Sequence, residues 1–112
     1  IKIYICNLMT KYGHTDGFSV SSFVEVLEKY LGGKIFDYIV FNIQKPSATL
    51  LKKYSSEGEW IKPDMNALKD KRFVGANLVS QKIYRQNPAD KLKRTLIRHD
   101  PDKLAQTIIS LI

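Results

Sequence analysis

The sequence has little cysteine and no long apolar run, and each absence excludes a class of protein. Cys6 is the single cysteine among 112 residues, so an internal disulfide framework is excluded and a reducing, cytoplasmic location is predicted. Because Cys6 ends an apolar segment, we interpret it as a buried small hydrophobe and not as a nucleophile. No stretch of about 18 apolar residues occurs, which predicts that the chain has no membrane span.

Common signatures of phosphate and metal binding are also missing. The spacing of the glycines matches neither a dinucleotide fingerprint nor a P-loop, and no zinc-finger spacing occurs. His14 and His99 are the two histidines, and each is followed within two residues by an aspartate. Since they lack the helical spacing of metal ligands, we predict no metal site.

The net charge of +7 is concentrated in one part of the chain. Residues 69–98 hold nine basic groups and two acids, so this segment alone is +7 and the remainder sums to zero. The basic groups are Lys69, Lys71, Arg72, Lys82, Arg85, Lys91, Lys93, Arg94 and Arg98. Such a block suits a solvated surface or a nucleic-acid-binding module. No pattern of stacking aromatics accompanies it, which favours the solvated surface.

Hydrophobic periodicity and capping residues predict an α/β fold with a mainly parallel sheet. The segment Phe36–Asn42 is almost continuously apolar, as strands covered on both faces are. With an opening strand and a helix that Ser19 caps, it forms a predicted βαβ unit. The predicted elements are strands over 1–6, 36–42 and 73–79, helices over 19–32, 48–54, 65–69 and 100–112, and a short pairing at Trp60–Ile61. In addition, Leu92, Leu96 and Ile97 follow the spacing of one helical face.

The loop Cys6–Gly17 is our main candidate for a functional site. It follows the first strand, and in open α/β sheets ligands bind at the carboxyl ends of strands. Two interpretations remain open: a site for a phosphate or a sugar hydroxyl near a helix N-terminus, or an ordered connection whose polar groups bond one another. Gly13 and Gly17 permit a positive φ. The candidate polar residues are Asn7, Thr10, His14, Thr15 and Asp16.

Three further residues are candidates because of their chemistry or their place. Arg98 offers a guanidinium that grips phosphate, and His99 next to it is a hydrogen-bond donor or a group that titrates near neutral pH. Asp100 is predicted to be an N-cap, followed by Pro101 at the first helical position. Asn42 ends the second predicted strand, on the same edge of the sheet as Asn7.

These motifs resemble one family. The strand followed by C-N-L-M-T-K-Y-G-H-T-D-G-F-S-V-S, then F-D-Y-I-V-F-N and R-H-D-P-D-K-L-A, is similar to the 2-phospho-L-lactate transferase-like superfamily, and most to its bacterial gluconeogenesis-factor branch. The resemblance implies a Rossmann-like three-layer fold with a mainly parallel sheet. It also implies that residues 1–112 are a C-terminal fragment of one such domain, which fits a chain that starts inside an apolar segment without an initiator Met.

The resemblance implies function as well as fold. Gluconeogenesis-factor members bind a nucleotide sugar of the UDP-sugar type and regulate cell shape, cell-wall synthesis or carbon metabolism. Transferase members move a phospholactyl group from a guanosine diphosphate donor to a deazaflavin, for which Mg²⁺ is a possible cofactor. A homo-oligomer is also implied for the full-length protein. The residues implied to line the ligand crevice are Asn7, Thr10, Gly13, Thr15, Asp16, Asn42, Arg98 and His99.

One position departs from the branch pattern. Where relatives have Gln-Pro-Gly-Glu-Thr, this chain reads Lys11-Tyr12-Gly13-His14-Thr15. His14 thus replaces an anion by a group that becomes a cation on protonation. We therefore expect a shift in ligand preference toward more negative groups.

Overall fold

A three-stranded parallel sheet forms the centre of the computed structural model, which describes residues 1–83, 88–89 and 96–112. The strands are β1 (Ile3–Ile5), β2 (Tyr38–Asn42) and β3 (Phe73–Ala76), in the order β1-β2-β3. Tyr4 pairs with Ile39, and Val40 pairs with Val74. The predicted α/β class with parallel strands is confirmed, and the architecture is Rossmann-like.

Four helices connect or follow these strands: α1 (Val20–Leu31), α2 (Ala48–Lys53), α3 (Met65–Lys69) and α4 (Pro101–Ser110). Helix α1 begins where Ser19 accepts from the backbone N–H of Ser22 while Ser22 caps in return, a capping box. It ends at Gly32, which has a φ of 87° and forms a left-handed cap, a conformation that residues with a Cβ rarely adopt. The predicted βαβ unit over residues 1–42 is confirmed.

Most of the apolar stripe of α1 faces the sheet. Val20, Phe23 and Val24 are buried, whereas Tyr30 at the far end of the helix is 86% exposed. One core cluster joins α1 to β2 and to the start of the long loop, and its buried members are Cys6, Val20, Phe23, Phe41, Ile61 and Ala67. A second cluster lies around α2 and residues 96–97. Its buried members are Leu8, Met9, Leu50, Tyr54, Val79, Leu96 and Ile97.

Several predicted boundaries differ from the structure. The third strand ends at Ala76 and not at Val79, because the backbone of Leu78 bonds the Asn42 side chain and the Asp100 backbone instead of continuing the sheet. Leu96 and Ile97 are buried but lie in a non-helical segment, so the helical face predicted for them is wrong, and Leu92 lies outside the described residues.

Helix α4 starts as predicted but packs less than its sequence suggests. Asp100 accepts from the backbone N–H groups of Asp102 and Lys103, at 3.0 and 3.1 Å, and Pro101 opens the helix. No residue of α4 is buried, and Ile109 is 70% exposed. In the described part of the chain, every helix is too short or too polar to traverse a lipid bilayer.

Candidate functional site

The loop after β1 first forms a short antiparallel ribbon with residues 57–61. The Thr10 N–H donates to the Glu59 carbonyl at 2.8 Å, and the Ile61 N–H donates to the Leu8 carbonyl at 3.0 Å. Thr10 also accepts from the Glu59 N–H through Oγ1 at 2.8 Å. The predicted pairing at Trp60–Ile61 is confirmed, as a bridge between Trp60 and Met9. Thr10 is 5% exposed, so its hydroxyl is used to hold the ribbon together.

The outer part of the loop closes on itself. Thr15 accepts from the Lys11 N–H through Oγ1 at 2.8 Å, and the Asp16 carboxylate accepts from the Gly13 N–H at 3.1 Å. Gly13 and Gly17 have φ values of 82° and 70°, which confirms the predicted need for glycine at both turns. These polar groups bond one another, as in the second interpretation of the loop, while the His14 side chain is exposed.

The N-terminus of α1, where an anion was expected, already contacts a carboxylate of the protein. Asp64 accepts from the Ser21 backbone N–H at 3.2 Å, and the Ser21 hydroxyl donates to its other oxygen. Asp64 directly precedes α3, but it makes no side-chain cap bond to that helix. Because the positive end of α1 is compensated from within, an external phosphate would have to displace Asp64 to bind there.

Asn42 lies at the carboxyl edge of the sheet, beside the end of β1, but its amide is engaged. Its Oδ1 accepts from the backbone N–H groups of Gln44 and Leu78, at 3.1 and 3.0 Å. Its Nδ2 donates to the Gln44 carbonyl at 2.7 Å, and the residue is 4% exposed. This amide joins the turn after β2 to the chain after β3.

His99 reaches the end of β1 from the far end of the chain. It pairs with Val79 in an antiparallel bridge, flanked by hydrogen bonds from the Ser80 N–H to the Arg98 carbonyl and from the Asp100 N–H to the Leu78 carbonyl. Burial lowers the pKa of His99 below 6.5, and a hydrogen bond with the Cys6 backbone opposes that shift. Its Nε2 is buried and has no hydrogen-bond partner. Arg98 is exposed next to it.

A cavity of about 260 Å³ lies where these segments meet. Two sequence-predicted residues, Asn7 and His99, line it together with Leu8, Met9 and Ile97. Thr10, Gly13, His14, Thr15, Asp16, Asn42 and Arg98 do not line it. The cavity offers an amide and an imidazole over an apolar floor. Sequence reasoning missed the floor, because nothing in the spacing of Leu8, Met9 and Ile97 pointed to a cavity.

A second hollow of about 240 Å³ lies on the other side of the ribbon, at the start of α1. Phe18, Trp60 and Pro63 form its apolar walls. Its charges come from Glu59, Lys62 and Asp64. The sequence predicted Trp60 only as part of an edge pairing, and nothing in its spacing pointed to a cavity. Thr10 is the one predicted site residue that lines it.

The side chain of Cys6 lies in the core of the protein. Cys6 is fully buried, and burial raises the pKa of its thiol to about 12, so the predicted role as a core hydrophobe is confirmed.

In the basic block, Arg72 is paired with Glu28 at 2.9 Å and with Asp70 at 3.0 Å. Arg85, Lys91, Lys93 and Arg94 lie outside the described residues. No cluster of three or more His, Cys, Asp or Glu groups able to hold a metal ion occurs within the described ranges.

Residues 1–84, three quarters of the chain, match the family described as 2-phospho-L-lactate transferase CofD. The chain belongs to this family. A protein of Clostridium acetobutylicum, provisionally named a gluconeogenesis factor, is 37% identical over the whole chain, which covers 23% of that protein. The gluconeogenesis factor of Bacillus subtilis is 26% identical over 99% of the chain, which covers 32% of it.

A crystal structure of a Bacillus halodurans family member has the same fold. It superimposes with a TM-score of 0.75 at 28% identity, over 96% of this chain and 32% of that one. The chain thus spans about a third or less of the length of the relatives it matches. The resemblance in the motifs at both ends of the sequence is confirmed, and the relatives carry the gluconeogenesis-factor name.

Proposed function

We propose that this chain supplies one wall of a nucleotide-sugar site in a regulatory protein of the gluconeogenesis-factor type, with a role in cell shape, wall synthesis or carbon metabolism. The observation that carries the proposal is the cavity at the carboxyl end of β1, the position where open α/β sheets bind ligands. Asn7 and His99, which come from opposite ends of the sequence, meet there. The names of the relatives support the regulatory type.

The size of the cavity sets how much of a ligand it can hold. Ligand pockets usually enclose about 300–1,000 Å³, so about 260 Å³ suits one portion of a nucleotide sugar and not all of it. Arg98, adjacent in sequence to His99, is exposed at this edge, and in this proposal its guanidinium contacts a phosphate. In this proposal the remaining contacts come from outside these 112 residues.

Calorimetry on the full-length protein with UDP-N-acetylglucosamine tests this proposal. We expect Arg98→Ala to weaken binding by roughly 1.5–3 kcal/mol, the cost of a lost charge-assisted hydrogen bond. The matched control is Lys71→Ala, which removes the same charge from an exposed residue before β3, at the opposite edge of the sheet. Equal affinities for the two variants would contradict the role of Arg98, and no heat with any uridine nucleotide would refute the proposal.

A transferase is the second candidate, because the matching family is described by 2-phospho-L-lactate transfer. Its test is incubation of the full-length protein with a phospholactyl-guanosine diphosphate donor, a deazaflavin acceptor and Mg²⁺. Mass spectrometry would then detect a phospholactyl-deazaflavin product. Product formation that Asn7→Ala abolishes would favour the transferase over the regulatory binder, with Asn66→Ala on the exposed surface of α3 as the matched control.

A further inference from the structure

The protonation state of His99 decides which ligand group its ring can meet. The ring lines the cavity, and burial holds its pKa below 6.5, so it is neutral at physiological pH. A neutral imidazole has one N–H donor and one bare nitrogen that accepts. It therefore carries no positive charge to attract a phosphate.

The ring of His99 interacts with the backbone of Cys6. Their hydrogen bond raises the pKa, which is the effect of a carbonyl that accepts from the ring. Because Nε2 has no hydrogen-bond partner, we assign Nδ1 as the nitrogen that meets this carbonyl and Nε2 as the acceptor of the neutral ring. Nε2 is buried without a hydrogen-bond partner, and an unpaired buried polar atom is destabilising until a partner arrives.

The other groups around the ring do not change this assignment. The thiol of Cys6 is neutral, with a pKa raised to about 12 by burial. The carboxylate of Asp100 is bonded to the first turn of α4, and Arg98 is an exposed residue. Apart from His99, the lining residues among those described do not titrate: Asn7, Leu8, Met9 and Ile97.

We infer that the cavity receives an uncharged hydrogen-bond donor of the ligand, a sugar hydroxyl or an amide N–H, with His99 as its acceptor, and that phosphate binds outside the cavity. The inference rests on the proposed nucleotide-sugar function and names the part of the ligand that this wall recognises. It differs from the alternative role in which a protonated His99 contacts a phosphate of the ligand. The apolar floor of Leu8 and Met9 suits the carbon face of a sugar better than a phosphate.

The pH dependence of binding distinguishes the two roles of His99 by sign. Protonation removes the acceptor, so affinity for UDP-N-acetylglucosamine should fall at least about tenfold as the pH decreases through the pKa of His99. A phosphate contact predicts the reverse, because imidazolium attracts an anion. The pyrophosphate of a nucleotide sugar is esterified at both ends and lacks the ionisation near pH 6 of a phosphate monoester, so the ligand keeps a constant charge.

The experiment is calorimetry on the full-length protein between about pH 5 and pH 8, with wild type, His99→Gln and His99→Lys. We expect His99→Gln to remove this pH dependence and to retain binding, since the amide oxygen still accepts, and His99→Lys to bind at least about tenfold more weakly. Repeating the series with His14→Gln in every protein separates any contribution of the second histidine. Affinity that rises as the pH decreases, or His99→Lys binding as tightly as wild type, would overturn the inference.

A measurement on unmutated protein covers the case in which a His99 variant does not fold. Long-range ¹H–¹⁵N spectra at pH 7 report whether the His99 ring is neutral and which nitrogen is bare. Ligand addition should shift that bare nitrogen while the ring stays neutral; conversion to imidazolium would overturn the inference. If no uridine nucleotide binds at any pH, the proposed function fails together with this inference, whereas binding without a response from His99 refutes this inference alone.

Discussion

Asn42 illustrates how a polar residue at a site-like position acts as a structural link. Its three hydrogen bonds engage the N–H and the carbonyl of Gln44 and the N–H of Leu78. The bond from Leu78 is fully buried, so the N–H of Leu78 has no water to replace the amide. At this residue, burial and bond geometry favour a role in stability over contact with a ligand.

The first prediction concerns this amide. Asn42→Ala should lower the free energy of unfolding by about 2–3 kcal/mol, because buried backbone N–H groups lose their acceptor. Urea denaturation monitored by circular dichroism measures the change. Asn66→Ala, on the exposed surface of α3, is the control and should stay within about 0.5 kcal/mol of wild type. A loss for Asn42→Ala no larger than that control would show that water replaces the amide.

Gly58 is the second residue on which the loop depends. A Cβ at this position would lie 1.9 Å from the carbonyl oxygen of Thr10, a backbone atom that cannot move aside on its own. The close approach exists because both neighbours of the glycine bond the opposite segment: Glu59 bonds Thr10, and the Glu57 carbonyl accepts from the Tyr12 N–H. We conclude that Gly58 permits the ribbon that shapes the wall of the cavity.

We predict that Gly58→Ala separates this ribbon. The clash should cost about 3 kcal/mol of stability, at the upper end for an overpacked site, and the amide of Thr10 should exchange faster with solvent. Hydrogen exchange by mass spectrometry measures the exchange rates of the two segments of the ribbon, the loop around Thr10 and residues 57–61. Gly33→Ala is a useful comparison, since its Cβ meets nothing within 4 Å and its cost would come from the positive φ of 151° alone. Unchanged exchange at Thr10 in Gly58→Ala would contradict the prediction.

Among the elements, Arg72 joins α1 to the start of β3. Its guanidinium contacts Glu28 on α1 and Asp70 at the end of α3, and it lies over the ring of Phe73. Bidentate contacts of this kind need a planar fork, which lysine lacks. The network fixes the amino edge of the sheet, opposite the cavity, so it is a structural device and not part of a phosphate site.

The pH dependence of stability should report this network. The hydrogen bond from Arg72 holds the pKa of Asp70 below 3.8. Since the folded value is the lower one, Asp70 stabilises the protein above its unfolded pKa, and this contribution is lost as the pH falls through the folded value. We expect Asp70→Asn to be less stable than wild type above about pH 4, with the difference shrinking toward pH 2. Urea unfolding across that range measures it, and a difference independent of pH would contradict the prediction.

Across the whole molecule, burial is unequal between the centre and the last helix. Four of the five residues of β2 are buried, while α4 has none that is buried and exposes Ile109. The amphipathic stripe of α4 therefore has little to pack against within these residues. Stability should follow the same gradient, because few buried contacts oppose local opening of α4.

We predict that the backbone amides of α4 exchange with solvent faster than those of β2 in a polypeptide of these 112 residues. Hydrogen exchange under native conditions resolves the two segments, and the amides of α1 provide an internal comparison of intermediate burial. Protection of α4 equal to that of β2 would mean that its exposed apolar residues are covered, for example in a self-associated form. Dilution of the sample would then change the exchange rate.

Local signals in the sequence determined the elements and their ends. Apolar periodicity predicted the β1-α1-β2 unit, Ser19 and Asp100 predicted the caps, and two glycines predicted the positive-φ turns. Each of these depends on interactions within a few residues, which spacing in one dimension records. The same reasoning extended the third strand too far, because the turn after Ala76 is set by the distant side chain of Asn42.

Tertiary structure alone decided which polar groups have internal partners and which line a cavity. Thr10 and Asp16 looked equivalent to Asn7 in the sequence, yet they bond Glu59 and Gly13, whereas Asn7 lines the cavity with His99. Likewise, Asp64 occupies the helix end where a phosphate was expected. These outcomes depend on contacts between residues far apart in the chain, and the packing of the sheet and loops brings them together.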